Sequence, residues 1–197
     1  MDADVIGAVE LSSIAAGILA VDAMVKAAPV EILRTCIVCP GKYLILITGD
    51  VASVEASLEA GRRAAQAHLL DTLFIPNLSP CVIPAIRGGT APRPLGGEEA
   101  LGVVESATAL GGVAAADVAA KEADVRLVEV RLADEMGGKS YVKMAGRVGD
   151  VEASVQAATG YLEARGALCH RVVVPNPHPE IGPFVIRDRT QERNPWR

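Results

Sequence analysis

The alternation of apolar and polar positions along the chain predicts the same set of strands and helices twice. Short apolar runs bounded by turn residues predict strands, and longer stretches with apolar residues three or four positions apart predict helices. In the first half, the predicted strands cover residues 5–10, 30–38, 43–48 and 72–75, and the predicted helices cover about 13–28 and 51–69. Ser12 or Ser13 can cap the first helix. This order of elements is that of the ferredoxin-like split βαβ unit.

The second half of the chain repeats the first. The stretch IGAVE at 6–10 aligns with LGVVE at 101–105 at an offset of 95 residues, and VEAS at 54–57 recurs at 151–154 at an offset of 97. Matches in this order, with so small a drift in offset, indicate a tandem duplication. Two copies are too few for a solenoid, so each half is expected to be a domain with its own core.

The duplication predicts an α+β protein made of two tandem ferredoxin-like domains. The expected boundaries are 1–87 for the first domain, 88–97 for a linker, 98–186 for the second domain and 187–197 for a charged C-terminal tail. The glycines and prolines of the linker break both helices and strands, which is why the division is expected there.

Composition and charge exclude some classes of partner. The net charge is −5, and no basic stripe interleaved with aromatic residues is found in the sequence, which argues against nucleic acid. The longest stretch without a charge, residues 72–86, contains three prolines and is shorter than the about 20 residues that span a bilayer. The acidic N-terminus is unlike a signal peptide. We therefore expect a soluble, intracellular protein whose four cysteines stay reduced.

The stretch CIVCPGKY at 36–43 holds the strongest candidate for chemistry. A metal or redox pair of Cys36 and Cys39 is disfavoured, because residues three apart on a strand point to opposite faces unless the strand ends before Cys39. Zinc also needs four ligands, and the sequence has no matching cysteine or histidine pair. From the residues alone, Cys39 is more simply a small apolar residue before a turn. Cys36, Cys81 and Cys169 are predicted to be core cysteines. No catalytic arrangement is recognisable in the sequence, so an enzyme is not expected.

Several stretches of the chain resemble bacterial microcompartment shell proteins. They are a strand that ends in glutamate before a serine-capped helix, the segment DAMVKAAPVE at 22–31, a Gly-Lys turn in each half, and PNPH at 175–178. The duplication matches the tandem-domain, trimeric branch of that family. Within the branch, the chain is most similar to the iron–sulfur-carrying propanediol-utilisation type, which has a Cys-Pro-Gly-Lys turn, here 39–42, and a Gly-Gly-Lys turn, here 137–139. The resemblance covers about residues 5–185.

The resemblance implies a flat, pseudohexameric homotrimer that packs edge to edge with other shell proteins, in a microcompartment shell within the cytoplasm. A lysine at the end of the first helix of each domain is implied at the seam between tiles, and Lys26 and Lys121 match it. Each of these lysines follows an aspartate by four residues, which is the spacing of an ion pair on one helix face. The residues implied to line the central pore are Pro40, Gly41, Lys42, Gly137, Gly138 and Lys139.

The resemblance also implies a metal centre. One Cys39 from each of three chains would converge on the threefold axis and hold one [4Fe-4S] cluster per trimer, with the fourth iron open to a small ligand. Lys42 would partly offset the charge of that cluster. The implied role is electron transfer across the shell or delivery of clusters, with encapsulated redox enzymes among the partners.

Two other functions stay open at this point. In the first, the protein is a shell tile with an open or gated pore for metabolites, and Cys39 carries no metal. In the second, it is a soluble redox or ligand-sensing trimer with ferredoxin-like domains and no role in a shell.

Overall fold

The computed structural model describes residues 5–87, 95–96, 99–133 and 136–185. The predicted linker lies largely outside these residues, and the predicted tail lies wholly outside them. The chain divides into two compact units. The first unit consists of the residues up to 80 together with 108–110 and 133–139, and the second consists of the remainder.

Each half of the chain forms a four-stranded antiparallel sheet and two long helices. The elements of the first half are β1 (Ile6–Leu11), α1 (Ile14–Ala27), β2 (Glu31–Val38), β3 (Lys42–Thr48), α2 (Val51–Ala65), β4 (Leu69–Ile75) and the short α3 (Val82–Ile86). Those of the second half are β5 (Ala100–Ser106), α4 (Ala109–Glu122), β6 (Arg126–Leu132), β7 (Ser140–Gly146), α5 (Val148–Glu163), β8 (Leu168–Val174) and the short α6 (Gly182–Val185). The strand orders are β2-β3-β1-β4 and β6-β7-β5-β8. The predicted α+β class and the repeated order of elements are confirmed.

The end of α2 differs from the prediction. The helix was expected to reach about residue 69, but it ends at Ala65, and Gln66–His68 form a 3-10 turn. Gln66 has a φ of 48°, a left-handed conformation that stops an α-helix. Because the helix stops early, β4 begins at Leu69, three residues before its predicted start. The short helices α3 and α6 were not predicted.

Side-chain caps determine where the two long helices of the first half begin. The hydroxyl of Ser13, and not that of Ser12, accepts a hydrogen bond from the backbone N–H of Ala16 at 3.3 Å. At the start of α2, the Asp50 carboxylate accepts from the backbone N–H of Ser53 at 2.9 Å and from its hydroxyl at 2.6 Å. The side-chain hydrogen bond from Ser53, followed by the backbone one, lowers the pKa of Asp50 below its ordinary value.

Glycines let the helices of both halves lie close to their sheets. A β-carbon on Gly7 would be 2.6 Å from a Val54 methyl carbon of α2, and one on Gly102 would be 2.7 Å from the side chains of Val151 and Val155 of α5. These glycines therefore face the helices. The residues directly before and after each glycine in β1 and β5 face the opposite side of the sheet. The small-residue packing expected from the alanine- and glycine-rich sequence is present in both halves. No helix within the described ranges is long and apolar enough to cross a bilayer.

We expect Gly17→Ala to lower the free energy of unfolding by about 1–3 kcal/mol, because the added β-carbon overlaps the Tyr43 side chain. Gly160→Ala is the matched control. Gly160 lies on an exposed face of α5 with no described atom within 4 Å of its β-carbon position, so there alanine should stabilise the helix by about 0.5–1 kcal/mol. Urea unfolding followed by circular dichroism measures both changes. Equal effects of the two substitutions would show that α1 does not pack against Tyr43 in this way.

Candidate functional site

The first candidate turn follows β2 and exposes a thiol. Strand β2 ends at Val38, and Cys39, Pro40 and Gly41 are exposed between it and β3. The Cys39–Pro40 peptide bond is cis. Gly41 has a φ of 76°, and no described atom lies within 4 Å of the position of its absent β-carbon. The turn therefore presents an accessible sulfur with open space beside it.

The structure changes the argument against a pair of Cys36 and Cys39. Because β2 ends at Val38, the alternation of faces along a strand does not extend to Cys39. Cys36 instead has a neighbour of its own, since the Nε of Arg34 donates a hydrogen bond to its sulfur at 3.2 Å. Within the described parts of the chain, no group of three or more histidine, cysteine, aspartate or glutamate side chains could hold a metal ion. A site made by one chain from these residues is therefore not supported.

The three other cysteines were predicted to lie in the core, and that prediction is wrong. Cys36, Cys81 and Cys169 are each half-buried. Cys36 and Cys169 lie on β2 and β8, which are the outer strands of their sheets, and Cys81 precedes the short helix α3. An apolar pattern predicts a strand but does not tell whether that strand is central or at an edge, where one side stays open.

A buried ion pair lies directly behind the first turn. The Nζ of Lys42 donates to Oε1 of Glu10 at 2.8 Å, and Glu10 is only 1% exposed. The second oxygen of Glu10, Oε2, is buried and has no hydrogen-bond partner among the described residues. Lys42 was expected to line a pore and offset the charge of a metal centre. Its ammonium group is directed at Glu10, and this carboxylate already compensates most of its charge.

Glu10 is the residue of the site that the sequence interpretation missed. A signal was present, because Glu10 stands in a run of apolar residues that was predicted to be a strand. Charged side chains are almost never fully buried unless they are paired. A glutamate within a central apolar strand therefore predicts a buried cation, although the sequence does not tell which lysine or arginine supplies it.

The second candidate turn, at 136–139, lies against the first within the same compact unit. Gly137 and Gly138 have φ values of 63° and 87°, and Lys139 is exposed. A β-carbon on Gly138 would lie 3.0 Å from the carbonyl oxygen of Cys39 and 3.6 Å from the Nζ of Lys42. At the repeat offset of 97, the residue that corresponds to Cys39 is Met136, which has no ionisable thiol. The two turns are thus adjacent, and Cys39 is the thiol that they present.

The two lysines that the resemblance implies at the seam between tiles lie at the ends of equivalent helices. Lys26 donates to Asp22 at 2.6 Å near the end of α1, and Lys121 donates to Asp117 at 2.6 Å near the end of α4. Both predicted ion pairs are therefore formed, and both lysines are exposed. The aspartates differ, because the Asp22 side chain is exposed whereas the Asp117 side chain is buried.

Comparison with known proteins places this fold among shell proteins of bacterial microcompartments. The BMC domain family matches residues 5–78 and again residues 100–177. The chain is 40% identical over 173 residues to the bacterial microcompartment shell protein PduT of Citrobacter freundii, an alignment that covers 88% of this chain and 92% of that protein. The crystal structure of a microcompartments protein from Desulfitobacterium hafniense DCB superposes with a TM-score of 0.81 at 46% identity, covering 90% of this chain and 97% of that one. The fused permuted hexameric shell protein MSM0275 from the RMM microcompartment shares the fold, with a TM-score of 0.59 at 22% identity over 81% of each chain.

Proposed function

Because this chain belongs to the BMC domain family of bacterial microcompartment shell proteins, we propose that it is a structural tile of such a shell. Three copies form a flat, pseudohexameric homotrimer that packs edge to edge with other shell proteins in the cytoplasm. The family relationship and the two repeated domains support this role. The protein then acts by assembly, and its homologues point to a structural function and not to turnover of a substrate.

We further propose that the trimer carries one [4Fe-4S] cluster on its threefold axis. The observation that carries this proposal is the exposed Cys39 thiol at the tip of a turn, beside a glycine whose β-carbon position is open. Rotation about a threefold axis supplies three such thiols, and iron–sulfur clusters are held by cysteine thiolates. The residues present therefore fit the group, with one ligand from each chain.

The residues around Cys39 have separate tasks in this proposal. Gly41, two residues after Cys39, has an open β-carbon position, so it leaves room at the turn for a group larger than a side chain. The pair of Glu10 and Lys42 adds little net charge behind the turn. Since Met136 stands in the equivalent position of the second domain, the trimer presents three thiols and not six. When bound, the cluster would supply one-electron transfer across the shell, or it would itself be the cargo that the tile delivers to enclosed enzymes.

Anaerobic purification of the full chain tests the proposal. Native mass spectrometry should give a trimer, and chemical analysis should give about four iron and four sulfide per trimer. Reduction with dithionite should produce an electron paramagnetic resonance signal. A colourless, iron-free trimer that still joins shells would favour the open or gated metabolite pore. A protein that joins no shell and binds a small ligand would favour the soluble alternative.

We expect the Lys26→Ala and Lys121→Ala variants to form intact trimers that assemble poorly into sheets, because these two lysines lie at corresponding exposed helix ends. Removing the exposed Lys26–Asp22 pair should change stability little, since exposed pairs contribute about 0–1 kcal/mol. Lys121→Ala should cost more, because it takes one partner from the buried Asp117 carboxylate. Electron microscopy of the sheets measures assembly. Arg63→Ala is the matched control, because it removes an exposed ion pair with Glu59 from α2. Normal sheets from both lysine variants would contradict the seam assignment.

A further inference from the structure

Gly138 is the residue at which the second turn meets the first. Its two neighbours in the chain, Gly137 and Lys139, are exposed, whereas Gly138 itself is buried. A β-carbon at Gly138 would lie 3.0 Å from the carbonyl oxygen of Cys39, which is closer than the 3.4–4 Å of an ordinary van der Waals contact. The absence of a side chain at this position therefore lets the two turns approach each other.

The backbone of the second turn is held by its own hydrogen bonds. The N–H of Ala133 donates to the carbonyl oxygen of Lys139 at 2.9 Å, and the N–H of Lys139 donates to that of Met136 at 3.2 Å. Ala133, at the base of the turn, is only 1% exposed. Because buried backbone hydrogen bonds are costly to break, the second turn resists being pushed away from Cys39.

The side chain of Lys42 closes another side of Gly138. Its Nζ and Cε would lie 3.6 and 3.9 Å from an added β-carbon, which are ordinary contact distances with no spare room. The ammonium group donates to the buried Glu10 carboxylate at 2.8 Å, and this ion pair keeps the lysine in place. An added methyl group therefore finds no space on the Lys42 side and presses on the Cys39 carbonyl.

The first turn is the part of this contact that can yield. Cys39, Pro40 and Gly41 are exposed, and no described atom lies within 4 Å of the β-carbon position of Gly41. Relief of the contact at 3.0 Å needs a shift of a few tenths of an ångström in the Cys39 carbonyl. The carbonyl group and the side chain of Cys39 share one Cα atom, so this shift also turns the thiol.

We propose that Gly138 is a positioning residue for the Cys39 thiol of its own chain. This inference rests on the proposed function, in which three copies of that thiol hold one cluster. Metal-binding side chains must be held to within about 0.5 Å of their productive geometry. A shift of a few tenths of an ångström, repeated in all three copies, is comparable with that tolerance. The first turn thus supplies the sulfur, and the second turn fixes its direction.

Gly138→Ala tests this role, with Gly137→Ala as its matched control. Both glycines are in the left-handed region, with φ values of 87° and 63°, so alanine strains the backbone at either position. Only the β-carbon at Gly138 meets the Cys39 carbonyl, because no described atom lies within 4 Å of the β-carbon position at Gly137. The difference between the two variants therefore measures the contact and not the backbone strain.

Nuclear magnetic resonance of the iron-free trimer detects the displacement without any metal. The chain has four cysteines, and labelling their carbonyl carbons with carbon-13 gives one signal for each of them. The signal that is missing from Cys39→Ser belongs to Cys39. It should shift in Gly138→Ala and stay in place in Gly137→Ala. An unchanged Cys39 signal in Gly138→Ala would overturn the inference.

The iron-loaded trimers test the consequence for metal binding. Transfer of iron to a chelator under anaerobic conditions should be about 10–100-fold faster from Gly138→Ala than from the wild type, the usual effect of losing the support of a metal ligand. The electron paramagnetic resonance signal of the reduced protein should also change shape in this variant alone. Equal rates from Gly138→Ala and Gly137→Ala would contradict the positioning role, whereas a wild-type protein without iron would overturn the proposed cluster itself.

Asparagine replaces alanine at both positions if Gly138→Ala does not fold. Asparagine enters the left-handed conformation more readily than alanine, and its β-carbon meets the same carbonyl oxygen. Circular dichroism checks that each variant is folded, and native mass spectrometry checks that it is trimeric. Gly138→Asn should lose iron faster than Gly137→Asn, and equal rates from this pair would again overturn the inference.

Discussion

The Cys39→Ser variant is expected to purify without iron and without colour, as a trimer of normal stability. Each substitution removes one thiolate from every chain and therefore all three protein ligands of the proposed cluster. A serine hydroxyl stays protonated at neutral pH, whereas the thiolate is the form of cysteine that binds metals. Cys39 is exposed, so serine in its place should change the free energy of unfolding by less than about 0.5 kcal/mol. Iron and sulfide analysis under anaerobic conditions measures the loss.

Cys36→Ser is the matched control for this experiment. Cys36 is three residues away, is half-buried, and accepts a hydrogen bond from Arg34. Its replacement should leave about four iron per trimer. Iron retained by Cys39→Ser, or lost from Cys36→Ser alone, would show that Cys39 is not the ligand. The resulting trimer of Cys39→Ser is also the protein in which to ask whether shells assemble without the metal.

Lys42→Met should lower the free energy of unfolding by about 3–5 kcal/mol, because it leaves the buried Glu10 carboxylate without its cation. Methionine keeps most of the volume of the lysine stem, so packing behind the turn should change little. The double variant Glu10→Met/Lys42→Met removes both charges and should recover most of the loss. Urea unfolding at a fixed protein concentration measures the three stabilities.

Lys139→Met is the matched control, because it replaces a turn lysine that has no buried carboxylate behind it among its described contacts. Lys139 occupies the equivalent position of the second turn, but its side chain is exposed. Its replacement should change stability by less than about 0.5 kcal/mol. A Lys42→Met protein as stable as Lys139→Met would mean that Glu10 finds another partner, and the interpretation of the buried pair would be wrong.

The repeated order of elements could be predicted because the signals for it are local. Apolar periodicity, turn glycines and the repeat at offsets of 95 and 97 are all legible in the sequence. The end of α2 could not be placed, since Gln66 adopts a left-handed conformation without being glycine or asparagine. The ion pair of Glu10 and Lys42 joins residues 32 positions apart, and sequence patterns do not report such a contact.

The differences between the two copies were the least predictable part of the molecule. α1 and α4 align position by position, so periodicity gives both helices one buried and one open face. Ala114 of α4 is 2% exposed and its counterpart Leu19 of α1 is 58% exposed, and the smaller side chain of Ala114 was the available hint of this difference. Cys39 was found from its motif and from the resemblance to a family. The proposed site takes one ligand from each of three copies, so no pattern within a single chain could have revealed it whole.

The close approach of Gly138 to the Cys39 carbonyl explains what tandem fusion makes possible in this protein. In a ring of six identical domains, every turn would carry a cysteine, and the same turn would also have to leave space for the cysteine of its neighbour. In a fused chain the two turns are encoded separately. One turn can keep the cysteine while the other changes to glycine. In the proposed trimer, the first copy presents the thiol, and the second copy supplies the glycine that lies against its turn.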